Sequence, residues 1–384
     1  MSEVAQVTHS SPDGHIPQLR FPQFSHDWAI STIGNLAKID TGNRDTQDRV
    51  NSGKYPFYVR SNTVERINEY AFDGEAILTS GDGVGVGKNF HYVVGKFNYH
   101  QRVYSIHNFT NSTNGKFIYY YFADKFYRRV SRLSAKNSVD SVRMSMISDM
   151  PISIPAKPEQ QKIAAFLTAV DNKIEQLSKK QELLGEYKKG LMQQIFSQAI
   201  RFKADDGSDF PDWEEKRLGG CILENQKSQI QVNFVSDNTE RDDVNIYPFF
   251  TSGNKALFTD SPIVEGDNIF LSTGGIATIN FYSGKGSYST DVFCISSVSE
   301  NTRFIYYYLL SILIKIDRKL FYGSGLKHLD KKAFRKIITT LPALPEQTKI
   351  ANFLSSVDSK IEQVGKQLDE SKQFKKALLQ RMFV

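Results

Sequence analysis

Cysteine is almost absent from this chain of 384 residues. Only Cys221 and Cys294 are present and neither belongs to a C-x-x-C pair, which excludes a disulfide framework and favours a reducing, cytoplasmic setting. No apolar run approaches the roughly 18 residues that a membrane helix needs. The polar residues 1–14 lack the apolar centre of a signal peptide, so we expect a disordered tail over residues 1–18.

Motifs of nucleotide-binding and DNA-modifying enzymes are also missing. The run Gly81–Lys88 is rich in glycine, but a phosphate-binding loop needs glycine where Asp82 stands and Ser or Thr where Asn89 stands. No proline follows another, so the Asn-Pro-Pro-aromatic motif of an adenine methyltransferase is absent. The histidines and cysteines have no zinc-binding spacing. The sequence therefore predicts a protein without a catalytic centre or a metal site.

Positive charge is in moderate excess and is unevenly distributed. The formal net charge is +6, and residues 88–150 hold ten Lys and Arg side chains against three acids. Residues 281–341 hold ten against four. Two separate basic stretches predict two surfaces for a polyanion. The alternative is a solvated basic face that has no partner.

The chain is an internal duplication. Residues 158–176 return as residues 345–363 with 14 of 19 positions identical, at an offset of 187 residues. Trp28 and Trp213, the only tryptophans, open the two copies. Weaker echoes pair Tyr55-Pro56-Phe57 with Tyr247-Pro248-Phe249 and Phe117–Tyr121 with Phe304–Tyr308. Each copy thus has a divergent globular part followed by a well-matched helical part.

Long helices with a seven-residue period are predicted to close both copies. Pro158 and Pro345 suit the first helical position, and Glu159 and Glu346 suit the positive end of the helix dipole. The sustained period predicts a coiled coil, formed most simply by the two helices running antiparallel. The predicted seam consists of Ile163, Leu167, Val170, Ile174, Leu177, Leu184, Leu191, Ile350, Leu354, Val357, Ile361, Val364, Leu368 and Leu378.

Polar residues and glycines interrupt these helices. The polar positions are expected to weaken the seam and to fix its register; they are Gln181, Lys188, Ser371 and Lys375. A glycine costs about 1 kcal/mol in a helix interior. The glycines either admit the backbone of another protein or are simply tolerated, and the sequence favours neither; they are Gly185, Gly190 and Gly365.

The globular parts contain short β-rich runs separated by Gly and Asn turns. Phe117–Phe126 and Phe304–Ile316 are predicted helices whose aromatic residues belong to the core. The predicted fold class is α+β, with two mixed α/β globular domains, two long helices and a pseudo-two-fold duplication. The predicted divisions are a tail at 1–18, globular domains at 19–150 and 200–341, and helical regions at 151–199 and 342–384.

Loop residues of the globular parts carry chemistry that suits nucleic acid. Arg and Lys suit guanine and phosphate, and Asn and Gln suit adenine. Taken singly, each residue is better explained as an ordinary surface residue, so the prediction rests on the set. The candidate DNA-binding residues are Arg44, Arg49, Arg60, Asn62, Lys88, Asn89, His91, Gln101, Arg102, Asn254, Lys255, Thr273, Asn280, Lys285, Lys327 and His328.

The repeated helical motif resembles a known family. In both copies Pro-Glu-Gln is followed by Lys-Ile-Ala-x-Phe-Leu and Val-Asp-x-Lys-Ile-Glu, which resemble the conserved helical regions of type I restriction-modification specificity subunits. Trp28 before Ile33-Gly34 and Trp213 before Leu218-Gly219 are similar to the start of that family's globular domains. Gly323–His328 resembles its Gly-Ser-Gly loop, but the first copy departs at Ala135–Ser138, so no shared role of this loop follows.

The resemblance implies that each globular part is a target-recognition domain reading one half of a bipartite double-stranded DNA site. The helices would form an antiparallel coiled coil that spaces the domains and docks two modification subunits, which bind S-adenosylmethionine and methylate adenine. Restriction subunits that use ATP and Mg would join and cleave, and this chain would hold no cofactor itself. The rival hypotheses are a duplicated coiled-coil adaptor for RNA or acidic proteins and a standalone methyltransferase-nuclease, which the missing motifs disfavour.

Overall fold

The chain divides into two compact units. A computed structural model describes residues 6–7, 16–134, 141–231, 246–253 and 257–384. Unit 1 comprises Met1–Ser178 with Lys366–Val384, and unit 2 comprises Lys179–Gly365. Most of the tail predicted over residues 1–18 lies outside the described residues.

Unit 1 holds the first globular part, the first part of the first long helix and the end of the second. Its elements are β1 (Gln6–Val7), β2 (Leu19–Arg20), β3 (Ala29–Thr32), α1 (Ile33–Leu36), β4 (Lys38–Thr41), a 3-10 turn (Thr46–Asp48), β5 (Tyr55–Tyr58), β6 (Val64–Ile67), β7 (Phe72–Ser80), β8 (Phe90–Tyr99), β9 (Val103–His107), α2 (Gly115–Leu133), α3 (Met144–Ser148), β10 (Pro151–Ile154) and the long α4 (Lys157–Phe196).

A six-stranded sheet in the order β4-β9-β7-β8-β5-β6 forms the centre of unit 1. Its pairs are antiparallel except β5 with β8, where Phe57 lies opposite Asn98. Strand β3 pairs with β10, which brings the start of the globular part beside the start of α4. Helix α2 packs on the sheet through its aromatic residues, and Phe117, Phe122 and Phe126 are fully buried. The predicted helix with core aromatics is thus confirmed.

Unit 2 repeats this plan with shorter strands. Its elements are β11 (Glu214–Arg217), α5 (Leu218–Cys221), β12 (Ile222–Glu224), β13 (Tyr247–Phe250), β14 (Leu257–Thr259), β15 (Asp267–Ser272), β16 (Ile279–Ser283), β17 (Ser287–Tyr288), β18 (Val292–Ser297), α6 (Thr302–Ser311), α7 (Leu313–Leu320), β19 (Phe321–Tyr322), β20 (His328–Leu329), α8 (Lys331–Arg335), β21 (Ile338–Leu341) and the long α9 (Leu344–Met382).

The sheets of unit 2 correspond to those of unit 1. Strands β12-β18-β15-β16 form one sheet and β14-β13-β17 another, in which β13 and β17 are parallel. Strand β11 pairs with β21, as β3 does with β10. Because the same pairings recur in both units, the predicted duplication of the fold is confirmed.

Each unit contains one half of each long helix, and in each unit the two halves run antiparallel. In unit 1 the start of α4, with Ile163 and Leu167, shares a core with Leu378 and Met382 at the end of α9. In unit 2 the end of α4, with Ile195, shares a core with the start of α9. All fourteen predicted seam residues are buried or half-buried. Each helix begins one residue before the proline that was expected to open it.

Reciprocal ion pairs link the helices inside each unit. In unit 1 the Lys375 ammonium lies 2.6 Å from an Asp171 carboxylate oxygen, and the Tyr120 hydroxyl donates to Asp171 at 2.8 Å. In unit 2 Lys188 pairs with Asp358 at 2.6 Å, and Tyr307 donates to Asp358 at 2.6 Å. The two lysines that interrupt the apolar period therefore meet the Asp of the repeated Val-Asp motif.

The repeated Pro-Glu-Gln motif fastens each helix to its globular part. Buried Glu159 accepts from Arg20 Nε at 2.7 Å and from the Trp28 indole at 3.3 Å. Gln160 accepts from the Asn114 backbone N–H at 2.8 Å, and the Asn114 side chain in turn caps α2. The second copy uses Arg201 with Glu346 and Gln347 with Asn301 in the same way.

Among the described residues, no helix is both long and apolar enough to span a membrane. Cys221 and Cys294 are free and buried. Burial raises the pKa of the Cys294 thiol to about 12, so this thiol stays protonated and unreactive.

Candidate nucleic-acid interface

In unit 1 a carboxylate gathers two of the candidate arginines. Asp82 lies two residues after the end of β7, and its two oxygens lie 3.1 Å from an Arg60 nitrogen and 3.8 Å from Arg102 Nε. The Arg60 and Arg102 side chains are about half and two thirds exposed. A guanidinium has five N–H donors, so both side chains keep donors directed to solvent.

The neighbouring loop adds Arg44 and Gln101 to the same cluster. The Gln101 backbone N–H donates to the Arg44 carbonyl at 2.8 Å, and its side chain donates to Asp45 at 2.8 Å. Arg44 itself forms an exposed ion pair with Glu69. We call Arg44, Arg60, Gln101 and Arg102, with Asp45 and Asp82, the unit 1 loop cluster. It presents donors for base edges and phosphates at one surface of the unit.

Asn89 and His91 support this cluster from beneath. Asn89 is buried, and its side-chain amide donates to the Arg60 carbonyl at 3.0 Å. The His91 ring lies 4.9 Å from the Tyr58 ring, and burial lowers the His91 pKa below the usual histidine value. Burial, and next the Arg60 charge, lower the pKa of His100 as well. These groups are therefore placed to position Arg60 and its loop.

Other candidates of unit 1 lie around this cluster. Lys88 is exposed, with its ammonium 5.7 Å from the centre of the Tyr127 ring. Arg49 pairs with Glu65 at 3.2 Å, and Asn62 is exposed. Their roles in DNA binding stay predictions.

In unit 2 the structure brings Thr273 together with Lys327 and His328. The Leu329 backbone N–H donates to the Thr273 carbonyl, and the Gly275 N–H donates to the Lys327 carbonyl, each at 2.9 Å. Lys327 and His328 are exposed, and Thr273 is half-buried. We call these three residues the unit 2 loop cluster. Thr273 directly follows β15, whereas Lys327 and His328 lie at the start of β20.

The remaining candidates of unit 2 are spread more widely. Asn280 is exposed on β16, opposite Phe270 of β15. Lys285 lies beyond the far end of β16, about 17 Å of strand away from the unit 2 loop cluster. Asn254 and Lys255 lie outside the described residues.

The acidic members of the unit 1 loop cluster were not among the sequence candidates. Asp45 and Asp82 hold its basic and amide side chains in place. Asp82 stands where a phosphate-binding loop would need glycine, and an acid in an otherwise basic, Gly-rich run was the available signal.

The comparisons with known proteins agree with this architecture. The family model described as "Type I restriction modification DNA specificity domain" matches twice, over residues 25–184 and 211–370. The chain belongs to the type I restriction-modification specificity family.

Relatives in this family share modest sequence identity with the chain. It is 26% identical over 205 residues to the type I restriction enzyme EcoDI specificity subunit of Escherichia coli, covering 53% of this chain and 44% of that protein. It is 24% identical over 410 residues to the MjaVIII specificity subunit of Methanocaldococcus jannaschii, covering 94% and 92%. The chain thus spans less than half of the first relative's length but most of the second's.

A solved specificity subunit shares the fold. The crystal structure of the type I restriction-modification S subunit from M. genitalium matches with a TM-score of 0.72 at 18% identity, covering 96% of this chain and 99% of that one. Agreement over nearly the whole chain assigns both globular parts and both long helices to the specificity-subunit fold.

Proposed function

We propose that this chain is the DNA-recognition subunit of a type I restriction-modification complex. It would read a bipartite double-stranded DNA site, one half with each globular part. The observation that carries the proposal is the repeated loop cluster. In each unit a polar residue just after the central strand, Asp82 after β7 or Thr273 after β15, contacts other loops that carry basic side chains.

The two loop clusters differ in the way that two different half-sites require. Arg60 and Arg102 in unit 1 suit guanine or phosphate, whereas unit 2 offers Thr273, Lys327 and His328. The motif that anchors the long helix to the globular part is retained in both units, as the Glu159 and Glu346 contacts indicate. A common scaffold with divergent loops is the expected arrangement of a protein that reads two sequences.

The partner subunits belong to the same proposal. Two modification subunits would dock on the paired helices and methylate adenine with S-adenosylmethionine, and restriction subunits would use ATP and Mg to cleave. This chain would hold none of these cofactors and would not be an enzyme. Its task would be to direct methylation and cleavage to the site.

The test is DNA binding by the full chain, alone and with a modification subunit. We expect binding that weakens steeply between about 50 and 200 mM salt, because phosphate contacts release counterions. The chain alone should neither methylate nor cleave DNA, and methylation should require the modification subunit. Salt-independent DNA binding, or tighter binding to RNA than to DNA, would favour the adaptor hypothesis instead.

A further inference from the structure

Helix α2 presents a row of cations along one face of unit 1. Lys125, Arg128, Arg129 and Arg132 line an open cavity of about 400 Å³. Arg129 is committed to structure, since it donates to the Met146 and Asp149 carbonyls at 2.8 and 2.9 Å. Lys125 lies 3.5 Å from Asp124. Arg128 and Arg132 are exposed, and no described carboxylate lies within 4.0 Å of either.

The same two cations recur in unit 2. Lys315 and Lys319 on α7 follow Arg128 and Arg132 at the offset of 187 residues that relates the repeated motifs. Both lysines are exposed, and among the described residues no carboxylate pairs with them. Two like charges four residues apart on a helix repel each other and weaken it slightly. A feature that is unfavourable locally, yet present in both diverged copies, points to an external anion.

The helix dipole explains only part of this pattern. Cations stabilise the last turn of a helix, which accounts for Arg132 and Lys319. Arg128 lies five residues before the end of α2, outside the range over which the dipole acts.

The helices that carry the cation pairs also contact the loops of the two clusters, through residues on other faces of these helices. In unit 1 the Gly87 backbone lies against the Tyr127 ring, where an added Cβ would come within 2.9 Å of that ring. In unit 2 the Ala277 N–H donates to Asp317 on α7 at 2.8 Å. The C-terminal part of each helix therefore touches the loop that carries or adjoins the proposed base-reading residues.

We infer that Arg128 and Arg132, and equivalently Lys315 and Lys319, bind the phosphate backbone of the DNA whose bases the loop clusters read. This inference rests on the proposed function and adds to it a sequence-independent contact surface. Exposed, unpaired cations on a rigid helix suit phosphates, because phosphate contacts fix the register of a protein on DNA without reading its sequence.

The test uses the full chain with Arg128→Ala and Arg132→Ala combined. Binding to a pool of random-sequence DNA duplexes is measured by fluorescence anisotropy at several salt concentrations, and the sequences enriched from the pool are read. We expect affinity at 0.1 M salt to fall roughly tenfold to sixtyfold and the salt slope to fall by about 1.8, as two lost phosphate contacts require. The enriched sequence should stay the same.

Three further variants sharpen the test. Lys38→Ala with Lys54→Ala removes two exposed positive charges from the same unit and should change affinity and slope little. Arg128→Lys with Arg132→Lys keeps both positive charges and should keep most of the salt dependence of DNA affinity. Lys315→Ala with Lys319→Ala should reproduce the loss in unit 2. Circular dichroism and thermal unfolding establish that each variant is folded.

Three outcomes would overturn the inference. The variant with Arg128→Ala and Arg132→Ala could match the control with Lys38→Ala and Lys54→Ala in affinity and salt slope. It could instead change the enriched sequence, or weaken binding to duplex RNA alone. In each case the parent chain would still bind DNA with a steep salt dependence, so the proposed function would stand. If the parent chain failed to bind DNA, the proposed function would fall together with the inference.

Discussion

Glu159 and Glu346 occupy the same position in the two copies, but their arginine partners differ in access to water. The Arg20 side chain is 4% exposed and Glu159 2%, whereas Arg201 is 26% exposed opposite a fully buried Glu346. Arg201 also lies 3.5 Å from Asp212 and donates to the Pro211 carbonyl at 2.6 Å. Removal of the glutamate side chain would therefore leave a buried arginine charge without its carboxylate partner only in unit 1.

Glu159→Ala should therefore destabilise unit 1 more than Glu346→Ala destabilises unit 2. We expect losses of about 3–5 kcal/mol in the free energy of unfolding for the first and about 1–2 kcal/mol for the second. Urea unfolding followed by tryptophan fluorescence measures both, because each unit holds one tryptophan. A Trp213→Phe background reports on unit 1 and a Trp28→Phe background on unit 2. Equal losses in the free energy of unfolding would show that burial of the arginine does not determine how much each substitution destabilises its unit.

His91 makes the stability of unit 1 depend on pH. Burial lowers the His91 pKa, so the folded state binds fewer protons there than the unfolded chain, whose histidines titrate near about 6.5. This contribution to the free energy of unfolding is complete above about pH 6.5. It is lost as the pH falls through the lower pKa that His91 has in the folded state. His91→Phe should make the acid decline shallower in the Trp213→Phe background. The Trp213→Phe background with His91 intact is the control for this measurement.

The glycines of the long helices are explained only in part by contacts within the chain. An added Cβ at Gly365 would lie 2.9 Å from the Gln181 side-chain nitrogen, so Gly365 makes room for that polar seam residue. At Gly185 and Gly190 an added Cβ would meet no described atom within 4 Å. Packing within unit 2 therefore gives no reason for these two glycines.

Gly185→Ala and Gly190→Ala should each raise the stability of unit 2 by about 0.5–1 kcal/mol, because alanine favours the helix more than glycine does. The measurement is urea unfolding in the Trp28→Phe background. Assembly with the modification subunit, followed by size-exclusion chromatography, separates the two explanations of the glycines. Stabilised variants that still assemble would show that the glycines are only tolerated, and stabilised variants that no longer assemble would show close approach of a partner backbone.

The long helices were the part of the fold that the sequence specified best. A seven-residue period and an internal repeat are local patterns, and they were enough to predict the seam from Ile163 to Leu378. The partners of Lys188 and Lys375 could not be predicted in this way. They are Asp358 and Asp171, and pairs so distant in sequence depend on the register of the two helices.

Residue types alone do not show which candidate residues of the loop clusters are exposed and which are buried. Arg60 and Asn89 were equivalent candidates in the sequence, but the structure exposes Arg60 and buries Asn89 beneath it. The difference depends on how two loops pack on each other, since Arg60 follows β5 and Asn89 precedes β8, and irregular loops have no period from which burial can be predicted. Lys285 likewise lies apart from Lys327 and His328, although all three belong to one basic stretch of the sequence.

The two units combine conserved anchoring with divergent surfaces. Arg20 with Glu159 and Tyr120 with Asp171 in unit 1 have equivalents in Arg201 with Glu346 and Tyr307 with Asp358. The loops differ in length and in chemistry. Each loop cluster is built from hydrogen bonds inside its own unit, so its binding preference should be transferable with that unit's globular part.

Replacing residues 19–150 by the corresponding segment of another family member should therefore change one half of the recognised DNA site and leave the other half unchanged. The replaced segment contacts Glu159, Gln160 and Asp171, which remain in the chimera. The donor segment must therefore carry residues equivalent to Arg20, Trp28 and Tyr120. Methylome sequencing of cells that express the chimera with the modification subunit measures both half-sites. The parent's own segment, reinserted through the same junctions, is the control and should preserve the full site. A change in both halves would mean that the two globular parts do not read DNA independently, because unit 2 keeps every contact of its own loop cluster in the chimera.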